Sequence, residues 1–365
     1  MSAGHIVPFL EWESRPESKE GKKVSSYKIA LLPGDGIGPE LSKATLNVLE
    51  AVTHKHGIEL AITRVEGGDD TKRRLGVPLP DETVETIRKS DACLKGPVGE
   101  TAVDVIVRLR VLFDLYANIR PVKVYPHAPS LRPGIDLVIV RENTEDVYRG
   151  LELELDRETM VCLRLITRRG SERIVRYAFE TARYRGKKRR VTAVHKSNVM
   201  RKTDGLFSQA FRDMAKEYPD VTADEMYVDN AAMQLILNPE AFDVIVTTNM
   251  FGDILSDEAS ATVGGLGMAP SANIGANFAL FEPVHGTAPD IAGKNIANPT
   301  SMILASMLML DWLADRYKDQ RCFEASVDIE RAVKQTLSDG IRTHDLGGSA
   351  KTDEFGAAVA KRVKT

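Results

Sequence analysis

The chain has 365 residues, of which 43% are hydrophobic and 28% are charged. These proportions are typical of folded globular proteins, and the length corresponds to two or three domains of ~150 residues, which excludes wholesale disorder. The formal net charge is −3, from 49 basic and 52 acidic residues mixed along the chain. Such a balance gives no basic field that would hold a polyphosphate backbone, so nucleic acid is not expected as a partner.

Three cysteines stand far apart in the sequence, at Cys93, Cys162 and Cys322. They match no metal-ligand spacing and no disulfide framework, which predicts free, buried thiols in a reducing compartment. No apolar run approaches the ~18 to 20 residues that cross a bilayer, so no membrane partner is expected. Residues 1–26 do not resemble a secretory signal and are predicted to be a loosely held polar extension. We therefore expect a cytoplasmic protein.

From Tyr27 onward, short β-branched segments alternate with amphipathic helical segments. This pattern predicts an α/β fold with helices covering a largely parallel sheet. Strands are predicted in the segments YKIALLP, LAITRVEG, DACLKGP, IDLVIVREN, RRVTAVHK and FDVIVTTN. Helices are predicted at residues 39–53, 171–184, 206–216, 301–317 and 327–338. The segments LELELD and MVCLRLITR, residues 151–156 and 160–168, predict an antiparallel pair of strands.

A glycine-rich turn, GDGIGPE at residues 34–40, follows the first predicted strand and opens a helix. A dinucleotide-binding fingerprint needs glycine at its first, third and sixth positions, whereas glycine here occupies the first, third and fifth. The sequence therefore disfavours a conventional Rossmann dehydrogenase. A structural turn without a ligand explains the motif equally well.

Three aspartates suggest a site for a hard cation. Asp253 and Asp257 in NMFGDILSDEAS are four residues apart, which places both carboxylates on one face of a helix. Asp229 in YVDNAAM follows another predicted strand. Ligation by oxygen alone suits Mg²⁺ or Mn²⁺ better than zinc. A solvated helix face is the alternative explanation for the pair.

Arginines cluster around predicted strand ends. Arg108 and Arg110 lie on one helix, Arg120 follows in YANIRP, and Arg141 ends the apolar strand IDLVIV. Strand ends are where α/β proteins usually bind ligands, and guanidinium groups bind carboxylates bidentately. A di- or tricarboxylate substrate would explain their convergence, although each arginine taken singly is compatible with a surface position.

Two further segments carry candidate chemistry. Lys196 follows the strand RRVTAVH, and Tyr148 lies in the loop after IDLVIVREN. A buried lysine beside cations can act as a base and a tyrosine as an acid, although either can be structural. The segment FEPVHGTAPDIAGKNIANP, Phe281 to Pro299, predicts a long loop around His285 that could cradle a nucleotide.

Six motifs together resemble those of the β-decarboxylating dehydrogenases, the family of isopropylmalate, isocitrate and homoisocitrate dehydrogenases. They are LLPGDGIGPE, YANIRP, VRENTEDVYRG, VHKSNVMRKTDGLF, NMFGDILSDEAS and EPVHGTAPDIAGKNIANP, in family order. The resemblance implies a two-domain fold, with residues 27–115 and 264–365 forming a discontinuous first domain that carries the NAD-binding loop. Residues 116–263 would form the second domain and the dimer interface, with an intersubunit arm at about 149–170. The protein would be a homodimer or a dimer of dimers with shared active sites.

The same resemblance implies roles for individual residues. Arg110, Arg120 and Arg141 would hold the substrate carboxylates. Asp253 and Asp257 would bind Mg²⁺ or Mn²⁺ together with Asp229 of the partner subunit. Lys196 and Asp229 would help remove the hydroxyl proton, hydride would leave C2 for the nicotinamide, and Tyr148 would donate the proton that completes decarboxylation. The expected cofactor-binding residues are Asn198, Glu282, His285, Gly286, Thr287, Ala288, Asp290, Ile291 and Asn298.

NAD is the expected cofactor because of two residues in the long loop. Asp290 and Ile291 stand where family members that use NADP place a lysine and a tyrosine. A carboxylate can accept hydrogen bonds from ribose hydroxyls but repels a 2′-phosphate.

The substituent on C3 of the substrate is read, in this family, by the helix before Arg110. Helical spacing places Val103, Ile106 and Val107 on one apolar face, and with Val199 they favour an isopropyl group. The preferred substrate is therefore 3-isopropylmalate. Homoisocitrate and isocitrate stay open because Arg108 could turn toward a distal carboxylate. A non-catalytic regulatory subunit is the remaining alternative, but such a chain would be expected to have replaced catalytic residues that are present here.

Overall fold

The structure is a computed structural model that describes residues 26–364. All but the last residue of the predicted extension at 1–26 therefore lies outside the described residues. The strands are β1 Tyr27–Leu32, β2 Leu60–Arg64, β3 Ala92–Lys95, β4 Ala117–Lys123, β5 Asp136–Glu142, β6 Glu152–Asp156, β7 Thr159–Cys162, β8 Arg190–His195, β9 Thr222–Tyr227, β10 Val244–Thr247, β11 Pro270–Ile274 and β12 Ala279–Pro283. The α-helices are α1 Gly38–His56, α2 Asp69–Leu75, α3 Asp81–Arg88, α4 Arg108–Leu112, α5 Arg168–Arg185, α6 Thr203–Ala215, α7 Val228–Leu237, α8 Asn249–Ala261, α9 Thr300–Tyr317, α10 Gln320–Ser338 and α11 Thr352–Lys364.

Ten strands form one mixed sheet in the order β2-β1-β3-β12-β11-β4-β5-β10-β8-β9. The strands β2, β1, β3 and β12 are parallel on one side, and β5, β10, β8 and β9 are parallel on the other. Between them, β11 pairs antiparallel with β12 and β4, and β4 pairs antiparallel with β5. The α/β prediction is confirmed. The antiparallel centre also confirms that this is not a conventional Rossmann fold, whose sheet is mostly parallel.

Helices cover both faces of the sheet, so its central strands are buried on both sides. All four residues of β10, VIVT, are buried for this reason. The helix α9 is buried from Thr300 to Ala314 and packs against β11, β12 and α10. The first and last helices, α1 and α11, also pack together. The two helices approach closely at Gly356, where a Cβ would lie only 2.9 Å from the Cβ of Ala44.

The predicted strand pair is confirmed as the hairpin of β6 and β7, which forms its own two-stranded sheet. Its second strand is shorter than predicted, since β7 ends at Cys162 and not at residue 168. The hairpin is largely exposed. The prediction of buried thiols is therefore wrong for Cys162, which is free but exposed, and confirmed for the free, buried Cys93 and Cys322.

The prediction from the sequence does not include the whole sheet. The long loop predicted from Phe281 begins later, because Phe281, Glu282 and Pro283 form the end of β12. The helix predicted from residue 327 begins earlier, at Gln320. Among residues 26–364, the structure contains no helix with the length and apolar character needed to cross a membrane.

Candidate active site

The fold collects the predicted polar residues at one edge of the sheet. The strands β5, β10, β8 and β9 are parallel, so their carboxyl ends lie at the same edge. Arg141 lies near the end of β5, Lys196 directly follows β8, and Asp229 lies in the first turn of α7, after β9. Asp253 and Asp257 lie on α8, which follows β10. Residues distant in sequence thus lie along the same edge of the sheet.

Asp253 lies at the centre of a first group of these residues. Its Oδ1 accepts hydrogen bonds from Arg120 Nη2, at 3.2 Å, and from Arg141 Nη1. Its Oδ2 accepts one from the Tyr148 hydroxyl at 2.5 Å. Arg120 Nη1 also donates to Asp257 Oδ1 at 3.1 Å. We call these five residues, together with Arg110, the acid–arginine cluster.

The charged groups of the cluster shift one another's pKa values. Burial would raise the pKa of Asp253, but Arg141 and Arg120 outweigh it and hold that pKa below its usual value. Burial raises the pKa of Asp257, with Asp253 adding to the effect and Arg120 opposing it. Burial also raises the pKa of the Tyr148 hydroxyl, more than Arg141 lowers it. Tyr148 therefore keeps its proton at neutral pH and can donate it.

Arg141 is held rigidly inside the cluster. Its side chain is 1% exposed, and Asn249 Oδ1 accepts bonds from its Nε at 3.0 Å and its Nη2 at 2.7 Å. Burial, followed by the nearby Arg120 and Arg110, lowers the pKa of Arg141. Several guanidinium groups packed at this depth favour an anionic ligand, which relieves their mutual repulsion.

Arg110 belongs to a buried ion-pair network that sequence reasoning missed in part. Glu282 accepts from Lys95 Nζ at 2.8 Å and from Arg110 Nη2 at 3.3 Å. Although burial opposes it, these two cations lower the pKa of Glu282 to about 2. Glu282, predicted to bind the cofactor, thus directs its oxygens toward Lys95 and Arg110. The sequence indicates a role for Lys95 only through its position, because it is a charged residue at the end of the apolar strand β3.

Arg108 points away from this network. It is half-exposed, and its nearest carboxylate is Asp81, with Nη2 and Oδ1 separated by 3.7 Å. The segment before it, Val103–Val107, is a wide π-helical turn, so α-helical spacing does not apply there. The predicted apolar face is therefore wrong as drawn: Val103 is 67% exposed, whereas Ile106 is buried in a hydrophobic cluster that Val107 covers.

Lys196 and Asp229 form a second group. Lys196 Nζ donates a hydrogen bond to Asp229 Oδ1, which lowers the pKa of that carboxyl. Asn198 and Val199, which follow Lys196 in the sequence, are exposed. Among the described residues of one chain, no three His, Cys, Asp or Glu side chains group as metal ligands. Asp229 therefore does not join Asp253 and Asp257 within a single chain.

A separate cavity of about 590 Å³ opens around the predicted nucleotide loop. Its lining includes Ile37, Gly267, His285, Gly286, Ala288, Ile291, Asn298, His344 and Asp345. His285 Nδ1 contacts the Gly286 carbonyl at 2.9 Å, and burial lowers the pKa of the ring. Its Nε2 is buried and has no hydrogen-bond partner among residues 26–364. An unpaired ring nitrogen in a largely apolar cavity fits a nucleobase, as the adenine of a dinucleotide cofactor requires.

Asn298 lines the cavity and also makes hydrogen bonds within the protein. Its Nδ2 donates to Asp345 Oδ2 at 3.0 Å, and its Oδ1 accepts from the Thr300 amide at 3.0 Å. Asp345 and His344 come from the segment before α11, and sequence reasoning gave no signal for them. Asp290, by contrast, lies exposed on the loop.

The glycine turn at residues 34–40 supports this cavity by backbone contact. The Ile37 amide donates to the Thr287 carbonyl at 3.0 Å. Gly36 has a φ of +56°, and a Cβ there would lie 2.2 Å from the Thr287 oxygen. The left-handed conformation and the close approach both require glycine. The structure thus gives the motif a structural role in holding the nucleotide loop.

Buried arginines that pair with aspartates and a tyrosine, together with a separate nucleotide-sized cavity, are typical of a dehydrogenase that decarboxylates a hydroxy acid. The chain belongs to the isocitrate/isopropylmalate dehydrogenase family, whose model matches residues 28–359. A 3-isopropylmalate/3-methylmalate dehydrogenase from Methanocaldococcus jannaschii is 51% identical over 93% of this chain and 99% of its own. An isocitrate/homoisocitrate dehydrogenase from Thermus thermophilus is 47% identical over 93% and 99%. The crystal structure of isocitrate dehydrogenase from Methylococcus capsulatus aligns with a TM-score of 0.87 at 42% identity, covering 93% and 100%.

Membership confirms the predicted resemblance and identifies the chain as an enzyme, a decarboxylating dehydrogenase with a small-molecule substrate. The regulatory-subunit alternative is not supported. The family uses a divalent metal and a nicotinamide cofactor. The residues fit both groups, since Asp253 and Asp257 offer only oxygen donors and His285 offers an unpaired ring nitrogen.

Proposed function

We propose that this protein catalyses the NAD-dependent oxidative decarboxylation of 3-isopropylmalate with Mg²⁺ or Mn²⁺ as its metal. The acid–arginine cluster is the observation that carries the proposal. It combines three buried guanidinium groups with two carboxylates and a protonated phenol. This combination matches a substrate with two carboxylates, a metal-assisted oxidation and a final proton transfer.

Binding and proton transfer are divided between the two groups of residues. Arg110, Arg120 and Arg141 bind the carboxylates and orient the substrate. Lys196 and Asp229, which share a hydrogen bond, would take up the proton of the 2-hydroxyl. A bound nicotinamide would supply the acceptor for the hydride of C2. Loss of CO₂ from the resulting β-keto acid leaves an enolate, and Tyr148 donates the proton to its carbon.

The metal is assigned to Asp253 and Asp257 with Asp229 of the partner subunit. When bound, it lowers the pKa of the substrate hydroxyl and stabilises negative charge on the substrate oxygens. Arg120 and Arg141, which pair with Asp253, would turn toward the substrate carboxylates.

NAD is proposed in preference to NADP, and Asp290 with Ile291 supports this choice. The cofactor-binding set is His285, Gly286, Thr287, Ala288, Asp290, Ile291 and Asn298, with Asn198 and Glu282 near the reacting end. A 2′-phosphate beside the Asp290 carboxylate would be repelled.

A 3-alkylmalate is favoured over a substrate with a third carboxylate. Arg108 is directed toward Asp81, which argues against its binding a distal carboxylate. We infer that Ile106, Val107 and Val199 pack against the isopropyl group although they do not share one α-helical face, at ~0.8 kcal/mol per CH₂ that is buried. The relatives named for 3-isopropylmalate support this choice. Homoisocitrate or isocitrate is the alternative, because a relative named for both is 47% identical.

A homodimer is proposed because the chain separates Asp229 from Asp253 and exposes a large apolar surface. Apolar side chains that are 45% to 65% exposed lie at the base and along the length of the hairpin and on α7: Leu151, Leu153, Leu155, Met160, Met233 and Ile236. Surfaces of this kind mark subunit contacts. We assign residues 116–263 to the domain that makes the contact, with the hairpin within 149–170 as its arm, and residues 27–115 with 264–365 to the other domain.

The decisive experiment compares kcat/KM for 3-isopropylmalate, 3-methylmalate, isocitrate and homoisocitrate, by NADH or NADPH formation with Mg²⁺. We expect 3-isopropylmalate with NAD to be preferred. The family resemblance implies that isocitrate users tend to have a serine and an asparagine at the positions of Asp104 and Ile106. The double change Asp104→Ser and Ile106→Asn should therefore move the preference toward isocitrate. Preference of the unmodified enzyme for isocitrate would overturn the substrate assignment, and preference for NADP would overturn the role of Asp290.

A further inference from the structure

Two asparagines lie fully buried where the two halves of the sheet meet. Asn118 on β4 and Asn273 on β11 are directly paired across the antiparallel strands, and neither side chain is exposed. Asn118 is also the cross-strand partner of Arg141 on β5. Buried amides are costly unless their hydrogen bonds are satisfied, so the partners of this pair are informative.

Asn273 connects Arg110 to the rest of the network. Its Oδ1 accepts from Arg110 Nε at 3.0 Å and from the amides of Asn118 and Asn143, both at 2.9 Å. Its Nδ2 donates to Glu282 Oε1 at 2.8 Å. Because the oxygen faces donors and the nitrogen faces a carboxylate, the amide has a single satisfactory orientation.

Asn118 makes the corresponding contact with the second arginine. Its Oδ1 accepts from Arg120 Nε at 2.8 Å. Its Nδ2 donates to Ser271 Oγ at 2.8 Å as well as to Asn273. A continuous hydrogen-bonded path therefore runs from Arg120 through Asn118 and Asn273 to Arg110.

We propose that Asn118 and Asn273 are positioning residues that fix Arg110 and Arg120 relative to each other as one receptor for the substrate carboxylates. Each amide oxygen holds the Nε of one guanidinium group, and the bond between the amides sets the spacing between the two groups. This role rests on the proposed function of the two arginines. Fixing both groups before the substrate arrives lowers the entropic cost of binding it.

The test measures substrate affinity in the variants Asn118→Leu and Asn273→Leu, which remove the amides at nearly constant volume. Hydrogen bonds to charged groups predict a loss of about tenfold or more in affinity for 3-isopropylmalate. Calorimetric titration with Mg²⁺ and without NAD measures the Kd, and steady-state kinetics measures the KM for both substrates. The KM for NAD should change by less than ~2-fold, because neither asparagine lines the nucleotide cavity.

Asn143→Leu is the matched control. Asn143 is also buried and its Nδ2 donates to Asn273, but that amide otherwise donates to the Leu115 carbonyl and not to an arginine-binding partner. It should lower thermal stability while changing the substrate Kd by less than ~3-fold. The double variant Asn118→Leu with Asn273→Leu should bind no worse than the weaker single variant, within ~3-fold, because both act on one unit.

An unchanged Kd in both single variants would overturn the proposal, and so would an equal loss in the Asn143→Leu control. If the leucine variants do not fold, Asn273→Ser keeps an acceptor oxygen and should weaken binding severalfold, with an unchanged Kd again counting against the proposal. Failure of the unmodified protein to bind or oxidise 3-isopropylmalate would instead refute the proposed substrate.

Discussion

Glu225 shows how a single residue links stability to the chemistry of its neighbours. It accepts hydrogen bonds from Ser208 and Arg212 and lies 2.8 Å from Nε2 of His195, the residue before Lys196. Burial opposes ionisation of Glu225, but these partners outweigh it and lower its pKa to about 2. The carboxylate therefore anchors the strand end that presents Lys196.

We predict that Glu225→Gln lowers the melting temperature at neutral pH and that the difference from the unmodified protein shrinks as the pH falls below about 4.5. The native pKa lies below the unfolded value of ~4.3, so ionised Glu225 stabilises the fold above about pH 4.5, and this contribution is lost as the pH falls toward about 2. Thermal melts from pH 7 to pH 3 measure the effect. Glu240→Gln, at an exposed site, is the control, and a difference that is constant with pH would contradict the prediction.

The residues that carry the chemistry of the candidate site could be predicted from residue types. The residues that hold them in place could not. Asp253, Asp257, Tyr148 and Arg141 stand in motifs whose spacing or position already indicates their chemistry. Asn273 is different, because the three hydrogen bonds to its Oδ1 join segments distant in the sequence. Only the folded sheet brings such partners together.

At the scale of elements, α8 shows how one missing side chain makes room for another. A Cβ at Gly252 would lie 2.5 Å from Cγ and 2.7 Å from Cβ of Arg141. Gly205 on α6, in contrast, has nothing within 4 Å of the same position.

We predict that Gly252→Ala displaces Arg141 and raises the KM for the substrate roughly tenfold to hundredfold. Gly205→Ala should leave the KM unchanged and add up to ~1 kcal/mol of stability, since alanine is the better helix former. Steady-state kinetics and urea unfolding of the two variants measure both effects. If Gly252→Ala and the unmodified protein have equal KM values, a displacement of Arg141 does not weaken substrate binding and the prediction is wrong.

The base of the hairpin is tied to the sheet by Arg164. This side chain contacts Asp146 at 2.6 Å and also pairs with Asp204, and both carboxylates are fully buried. Asp204 in turn accepts the Lys196 amide at 2.6 Å. One arginine thus holds together the loop before Tyr148 and the loop that carries Lys196.

Removing the Arg164 side chain should therefore lower the free energy of unfolding far more than removing a surface arginine. We predict that Arg164→Leu lowers the free energy of unfolding by ~3–5 kcal/mol, because two buried carboxylates lose their partner. Arg168→Leu nearby breaks only half-exposed pairs, with Glu172 at 3.5 Å and with Asp213 at 4.0 Å, and should cost less than ~1 kcal/mol. Urea denaturation measures both, and losses of similar size would refute this account.

Individual elements also show where sequence patterns fail. The strand β11, PSANI, contains proline, serine and asparagine, which are poor strand formers, and it forms because β12 and β4 pair with it on both sides. The π-helical turn Val103–Val107 has an apolar sequence that α-helical spacing misassigns. Periodicity reports local preference, whereas these elements are set by their neighbours.

At the scale of the whole molecule, the proposed homodimer, in which Lys196 of one subunit completes the site of Asp253 in the other, predicts subunit complementation. A Lys196→Met variant and an Asp253→Asn variant should each be inactive. Unfolding and refolding them together should restore about a quarter of normal activity, because half of the dimers are mixed and each mixed dimer has one intact site. NADH formation after refolding the mixture measures this, with each variant refolded alone as the control. No recovery would show that each chain contains its own complete site.

The packing of α11 on α1 constrains when the protein can fold during synthesis on the ribosome. The helix α1 is among the first elements made, yet part of its covering comes from the last helix, with Gly356 against Ala44. The chain between them extends from Gly57 to Lys351, so at ~5–20 residues per second α1 waits roughly 15 s to one minute for its partner. During that interval the nascent chain presents an uncovered apolar helix face, which makes α1 the natural place for a chaperone to bind.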